Sequence, residues 1–131
     1  MDTTLTQTVA GRPAMTMPGA LLRLEGLGYL TVAVAAYAFL GHSWWMFALL
    51  LFAPDLVMLG YLFGPRVGAL AYNVGHTSTL PLLLGLAGLL FGWALGVQFA
   101  LIWLAHIGLD RTLGYGLKYN DRFAHTHMGE V

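Results

Sequence analysis

The sequence predicts an all-α integral membrane protein, a four-helix bundle with short turns. Three observations predict it. Of the 131 residues, 58% are hydrophobic and only 9% are charged, against about 25% charged in an ordinary soluble domain. Four apolar stretches follow one another, and about 20 residues at 1.5 Å rise cross a hydrocarbon core of about 30 Å. The breaks between them are a few residues long and carry Gly, Pro or Trp. This composition speaks against a water-soluble enzyme and against a chain that is disordered throughout. The six Lys+Arg balance the six Asp+Glu, so no charge excess points to nucleic acid. The absence of Cys removes disulfides, iron–sulfur clusters and thiolate zinc sites.

Residues 1–20 are Thr-rich, with Arg12, Pro13 and Pro18, and read as a flexible tail. The first span, 21–40, is apolar apart from Arg23, Glu25 and Thr31. Arg12, Arg23 and Ala36-Tyr37-Ala38 loosely mimic a cleaved signal peptide, a reading that Glu25 and the long tail fit poorly. Gly41-His42-Ser43 is a tight break before the second span, 44–63, which contains Pro54 and Asp55. Gly64-Pro65 ends one helix and starts the next. The third span, 66–90, is expected to kink at Pro81, which frees the carbonyl of Thr77. Phe91 to Ala94 form a turn, and the fourth span runs from 95 to 117. The polar tail, 118–131, contains His125 and His127, read as solvated.

The basic residues orient the bundle. With four spans, Arg12, Arg23, Arg66, Arg111, Lys118 and Arg122 all fall at the side shared by both termini. Positive residues favour the cytoplasm, so both ends are expected at the cytoplasmic face of an inner membrane. Trp44, Trp45 and Trp93 mark the outer interface; Tyr61, Tyr115 and Tyr119 mark the inner one. The glycines, including a Gly92-x-x-x-Gly96 pair, Gly85, Gly88 and Gly108, suit close helix packing and homo-oligomers.

Polar groups gather at one depth. By helix rise, Asp55 lies about 12 Å from the inner end of its span, Asn73 and His76 about 10 and 15 Å, and His106 and Asp110 about 16 and 10 Å. His106 and Asp110 are i,i+4 and share a face. Each Asp at a helix centre costs about 2.5–3.5 kcal/mol, so these groups must face inward and find partners. For any one of them, interhelical glue is the simpler account. For the set, function is favoured, because packing does not require two carboxylates and two imidazoles at one level. Glu25 and Arg66 are second-rank members.

The strings Pro54-Asp55-Leu56-Val57-Met58-Leu59-Gly60-Tyr61-Leu62-Phe63-Gly64-Pro65-Arg66, Tyr72-Asn73-x-x-His76 and Ala105-His106-Ile107-Gly108-Leu109-Asp110-Arg111 together resemble a family of small bacterial membrane proteins catalogued as domain of unknown function 4260. The resemblance implies a compact four-helix membrane protein and no activity.

Three chemistries compete. Asp55, His76, His106 and Asp110 have the donor types that a divalent metal such as zinc accepts. An intramembrane metal-dependent hydrolase would use them, with Asn73 or Tyr72 supporting an oxyanion, on a lipid-like substrate. No HExxH or other established ligand motif is present. Alternatively a transporter, assembly factor or subunit would use the same residues as an ion relay or polar lock. Haem held by His76 and His106 ranks third, because two carboxylates stand poorly against a macrocycle.

Overall fold

The computed structural model describes residues 16–117 and Met128. Arg12, Lys118, Tyr119, Arg122, His125 and His127 lie outside the described residues. Among those described, the chain is all-helical, with no strand. Its elements are α1 (Met17–Phe39), α2 (Trp44–Leu50), a 3-10 helix (Ala53–Phe63), α3 (Pro65–His76), α4 (Thr79–Leu90) and α5 (Ala94–Leu113).

The helix ends follow from local chemistry. Helix α1 begins at Met17, four residues ahead of the expected span, because the Thr16 hydroxyl accepts from the Gly19 amide and Pro18 occupies the first turn. Gly41 turns the chain at φ +71°. Helix α5 stops at Leu113, short of the expected 117, because Gly114 adopts the left-handed conformation and the amide of Tyr115 closes back on the Asp110 carbonyl.

Two of the expected helices are interrupted. The second stretch stays helical from Trp44 but tightens after Leu50 into an eleven-residue 3-10 helix. Pro54 has no amide to offer and its ring clashes with the carbonyl four residues back. The Asp55 amide accordingly bonds to Phe52, three residues back. The third stretch, expected as one kinked helix over 66–90, breaks into α3 and α4. Thr77 is extended at ψ 134°, and Pro81 stands buried in the first turn of α4. A proline tolerated in a first turn is not tolerated mid-helix, so the chain restarts rather than bends.

Helix α5 is the centre. It packs against α1 on one side and α4 on another and touches α2, while the 3-10 helix pairs with α3. Where α1 crosses α5, backbones meet. A Cβ on Gly108 would stand 2.5 Å from the Leu30 amide nitrogen and 2.6 Å from the Gly26 carbonyl. Around this crossing Ala33, Leu104 and Ala105 form the core with Tyr29, Leu30, Phe47 and Leu51. The Gly92–Gly96 pair does not form a helix–helix contact face. Gly92 is a turn residue at φ +66°, and Gly96 packs under the ring of Trp93.

The exterior is greasy: Phe39 is 89% exposed and Phe91 84%, among many exposed leucines. Two stretches, Met17–Phe39 with 23 residues and Trp44–Phe63 with 20, are long and apolar enough to cross a membrane. Helices α3 and α4 have 12 residues each, and such a length rises only about 18 Å.

Candidate metal centre

Asp55, His76, His106 and Asp110 come from the 3-10 helix, α3 and α5, and the structure brings all four together. One ligand atom of each lies within 4.8 Å of the others, so the group could hold a metal ion. The altered helix geometry explains how. Asp55 precedes Gly64 by nine residues, which at the 3-10 rise of about 2.0 Å is about 18 Å. His76 follows Gly64 by twelve residues, also about 18 Å at the α rise of 1.5 Å. An α-helix would have left Asp55 about 4.5 Å short. Gly64, at φ +110°, makes the hairpin. Gly60 and Gly75 then let α3 approach: a Cβ on Gly60 would stand 2.9 Å from the Ala71 Cβ, and one on Gly75 3.0 Å from a Val57 methyl.

The distances are those of a coordination shell. His76 Nε2 stands 3.0 Å from His106 Nε2. Asp55 Oδ1 is 3.1 Å from each of these nitrogens, and Asp110 Oδ2 is 3.3 Å from each. A tetrahedral ion with ligands at about 2.0–2.1 Å has edges of about 3.3–3.4 Å. Five of the six edges are therefore within a few tenths of an ångström of that shape.

Both imidazoles are held for such a role. A peptide carbonyl only accepts, so His76 Nδ1 carries its proton and donates to the Tyr72 carbonyl at 2.9 Å. Its Nε2 then offers a lone pair to the cluster when the ring is neutral. Tyr72 stacks on the same ring at 3.8 Å and 5°. His106 is fully buried, and Phe52 meets its ring edge-on. Its Nδ1 is buried without a hydrogen-bond partner among the described residues. The two Nε2 atoms stand too close, between two carboxylates, to admit a haem macrocycle.

Exposure separates the carboxylates. The side chain of Asp110 is 17% exposed and that of Asp55 34%, against 4% for His76. Asn73 is half-buried on α3, three residues before His76, and engages a partner of its own. Arg66 is exposed in the first turn of α3, ten residues before His76. Glu25 is exposed and lines a separate polar cavity.

Sequence reasoning missed three supports. Arg111 donates to the His76 carbonyl at 3.3 Å. The Trp103 indole donates to the Gly75 carbonyl. Tyr72, considered only as an oxyanion donor, is the ring on which His76 rests. The i,i+4 spacing of Tyr72 and His76 was the available signal; the contacts of Trp103 and Arg111 depend on how α3 meets α5.

Beside the cluster is an apolar cavity of about 270 Å³, lined by Leu50, Ala53, Pro54, Phe99, Ile102 and Trp103. No curated protein and no solved structure matches the chain. Residues 19–131, which include every element of the site, match the family described as Domain of unknown function (DUF4260); the chain belongs to that family.

Proposed function

We propose that this protein is a polytopic membrane metallohydrolase acting on a lipid-like substrate. The near-tetrahedral set of Nε2 and carboxylate atoms from three separate elements carries the reading. Support for the membrane setting comes from the apolar exterior and the two long apolar stretches. With α3 and α4 together completing a third, discontinuous span, irregular backbone falls where polar groups line an interior site, as intramembrane sites require. The positive-inside pattern puts both termini in the cytoplasm of a cell bounded by an inner membrane.

His76, His106 and Asp110, the more buried set, are assigned as ligands, with zinc as the fitting ion. A metal held there would supply Lewis-acid polarisation of a carbonyl or phosphoryl oxygen and a lowered pKa, to about 7, for a bound water. Asp55, the most exposed member and the one on the tightened helix, holds the attacking water and takes its proton. Water's oxygen bonds to the acyl or phosphoryl centre, and the ester bond breaks. The proton held by Asp55 passes to the leaving alcohol. The apolar cavity next to Ala53 and Pro54 takes the hydrocarbon chain.

A second reading rests on the ligand count. Four protein ligands close a tetrahedral ion, as structural sites do, and a non-enzymatic subunit would need no more. One experiment tests both. Purified protein is analysed for metal and for cleavage of a short-chain phospholipid ester, as wild type and as Asp55→Asn. The catalytic reading expects about one ion per chain in both proteins, with turnover only in wild type. Loss of the ion from the variant, with no turnover in either protein, establishes the closed site instead. A wild type without metal refutes both.

A further inference from the structure

A second cavity, of about 160 Å³, is lined by Leu22, Glu25 and Tyr29 of α1, Ser78 before α4 and Arg111 of α5. Its wall is mostly polar, unlike the apolar cavity beside Asp55. It also lies close to the metal ligands along the chain: Arg111 follows Asp110, and Ser78 is two residues past His76. The bond from Arg111 to the His76 carbonyl holds the guanidinium at the break between α3 and α4. Ser78 opens α4 without capping it by its side chain.

The charges in this cavity are paired in type, one guanidinium and one carboxylate. A guanidinium presents a planar fork that matches phosphate oxygens, and the Tyr29 and Ser78 hydroxyls add donors. Glu25, exposed on α1, suits an ammonium group. A purely anionic head would meet Glu25, and a purely cationic one would meet Arg111. We propose that this cavity binds the zwitterionic, phosphate-and-ammonium head of a phospholipid substrate. The inference rests on the metallohydrolase reading and names its substrate class. Phosphate sits on Arg111, Tyr29 and Ser78, and the ammonium sits on Glu25. The head is thereby anchored within one or two residues, along the chain, of ligands on two elements.

The test uses full-length protein in detergent, stripped with a chelator so that nothing is turned over. Binding of short-chain phosphatidylethanolamine, short-chain phosphatidylglycerol and inorganic phosphate is measured by calorimetry. Wild type is expected to bind the ethanolamine lipid about threefold more tightly than the glycerol lipid, the worth of one exposed ion pair. Inorganic phosphate should bind most weakly. Arg111→Gln should weaken both lipids by about tenfold or more. Because Arg111 also supports His76, the exposed variant Glu25→Gln carries the decision. It should abolish the preference for the ethanolamine head, weakening that lipid and leaving the glycerol lipid bound as tightly as before or more so. Equal affinity for the two lipids in wild type overturns the proposal, as does a preference that survives Glu25→Gln. Inorganic phosphate binding as tightly as the lipids also overturns it, since the site would then recognise a free anion. Failure here is separable from failure of the metal centre. His106→Ala should weaken metal binding yet keep the head preference, and a wild type that holds metal but shows no preference sinks this inference alone.

Discussion

Replacing Asp55 by Asn separates a metal centre from a set of polar helix contacts by the sign of its effect. In the metal-free protein, Asp55 and Asp110 offer carboxylate oxygens within 4.8 Å of each other. At an effective dielectric near 20, two such charges repel by about 3 kcal/mol. Solvent at Asp55, 34% exposed, lowers that figure. With neutral imidazoles, Asp55→Asn therefore leaves the metal-free protein as stable as wild type or more so. If instead His76 and His106 are charged and the carboxylates exist to pair with them, removing one leaves buried charge unpaired and costs about 3–5 kcal/mol. Metal adds the second axis. An ion at a hundredfold excess over its Kd stabilises the protein that binds it by about 2.7 kcal/mol. The assay is thermal unfolding in detergent, with chelator and with zinc, for both proteins. Wild type should gain several degrees with zinc. The variant should match or exceed wild type in chelator and gain with zinc through His76, His106 and Asp110. A variant that melts well below wild type in chelator, in a protein whose wild type does not respond to zinc, manganese, iron or cobalt, refutes the reasoning.

Other outcomes follow from the same geometry. His106→Ala removes one of the three assigned ligands. If binding is worth about 10–16 kcal/mol in all, the loss is about 3–5 kcal/mol, or roughly 10²- to 10⁴-fold in metal affinity by chelator competition. Pro54→Leu restores an amide and relaxes the 3-10 helix toward α, drawing Asp55 about 4.5 Å away from the level of His76. Turnover should then be lost while metal content, measured on the same sample, persists. Gly108→Ala places a methyl 2.5 Å from the Leu30 backbone nitrogen, so α1 and α5 must part, costing about 1–3 kcal/mol in unfolding experiments. Trp103→Phe deletes the donor to the Gly75 carbonyl and should cost about 0.5–1.5 kcal/mol.

Composition and periodicity by themselves determined that this chain is helical, where most turns fall, and that three of its apolar stretches carry ionisable or amide side chains. Those properties are local: apolar runs set helices, and Gly41, Gly64 and Gly92 set breaks because only glycine adopts their backbone angles without strain. The pairing of His106 with Asp110 was equally legible, since i,i+4 neighbours on one helix need no tertiary information. Tertiary structure decided the rest. Pro54 was visible, but not that it would stretch eleven residues into a 3-10 helix and so lift Asp55 level with His76. Pro81 was visible, but whether a helix kinks or breaks depends on what packs against the freed backbone, here Arg111 on the His76 carbonyl. The stack of Tyr72 on His76 and the bond from Trp103 needed the crossing of α5 with its neighbours, set by side chains far apart in the chain. A sequence lists which donors the apolar stretches carry; only the rise of each helix and its rotation about its axis say which of them point at the same space.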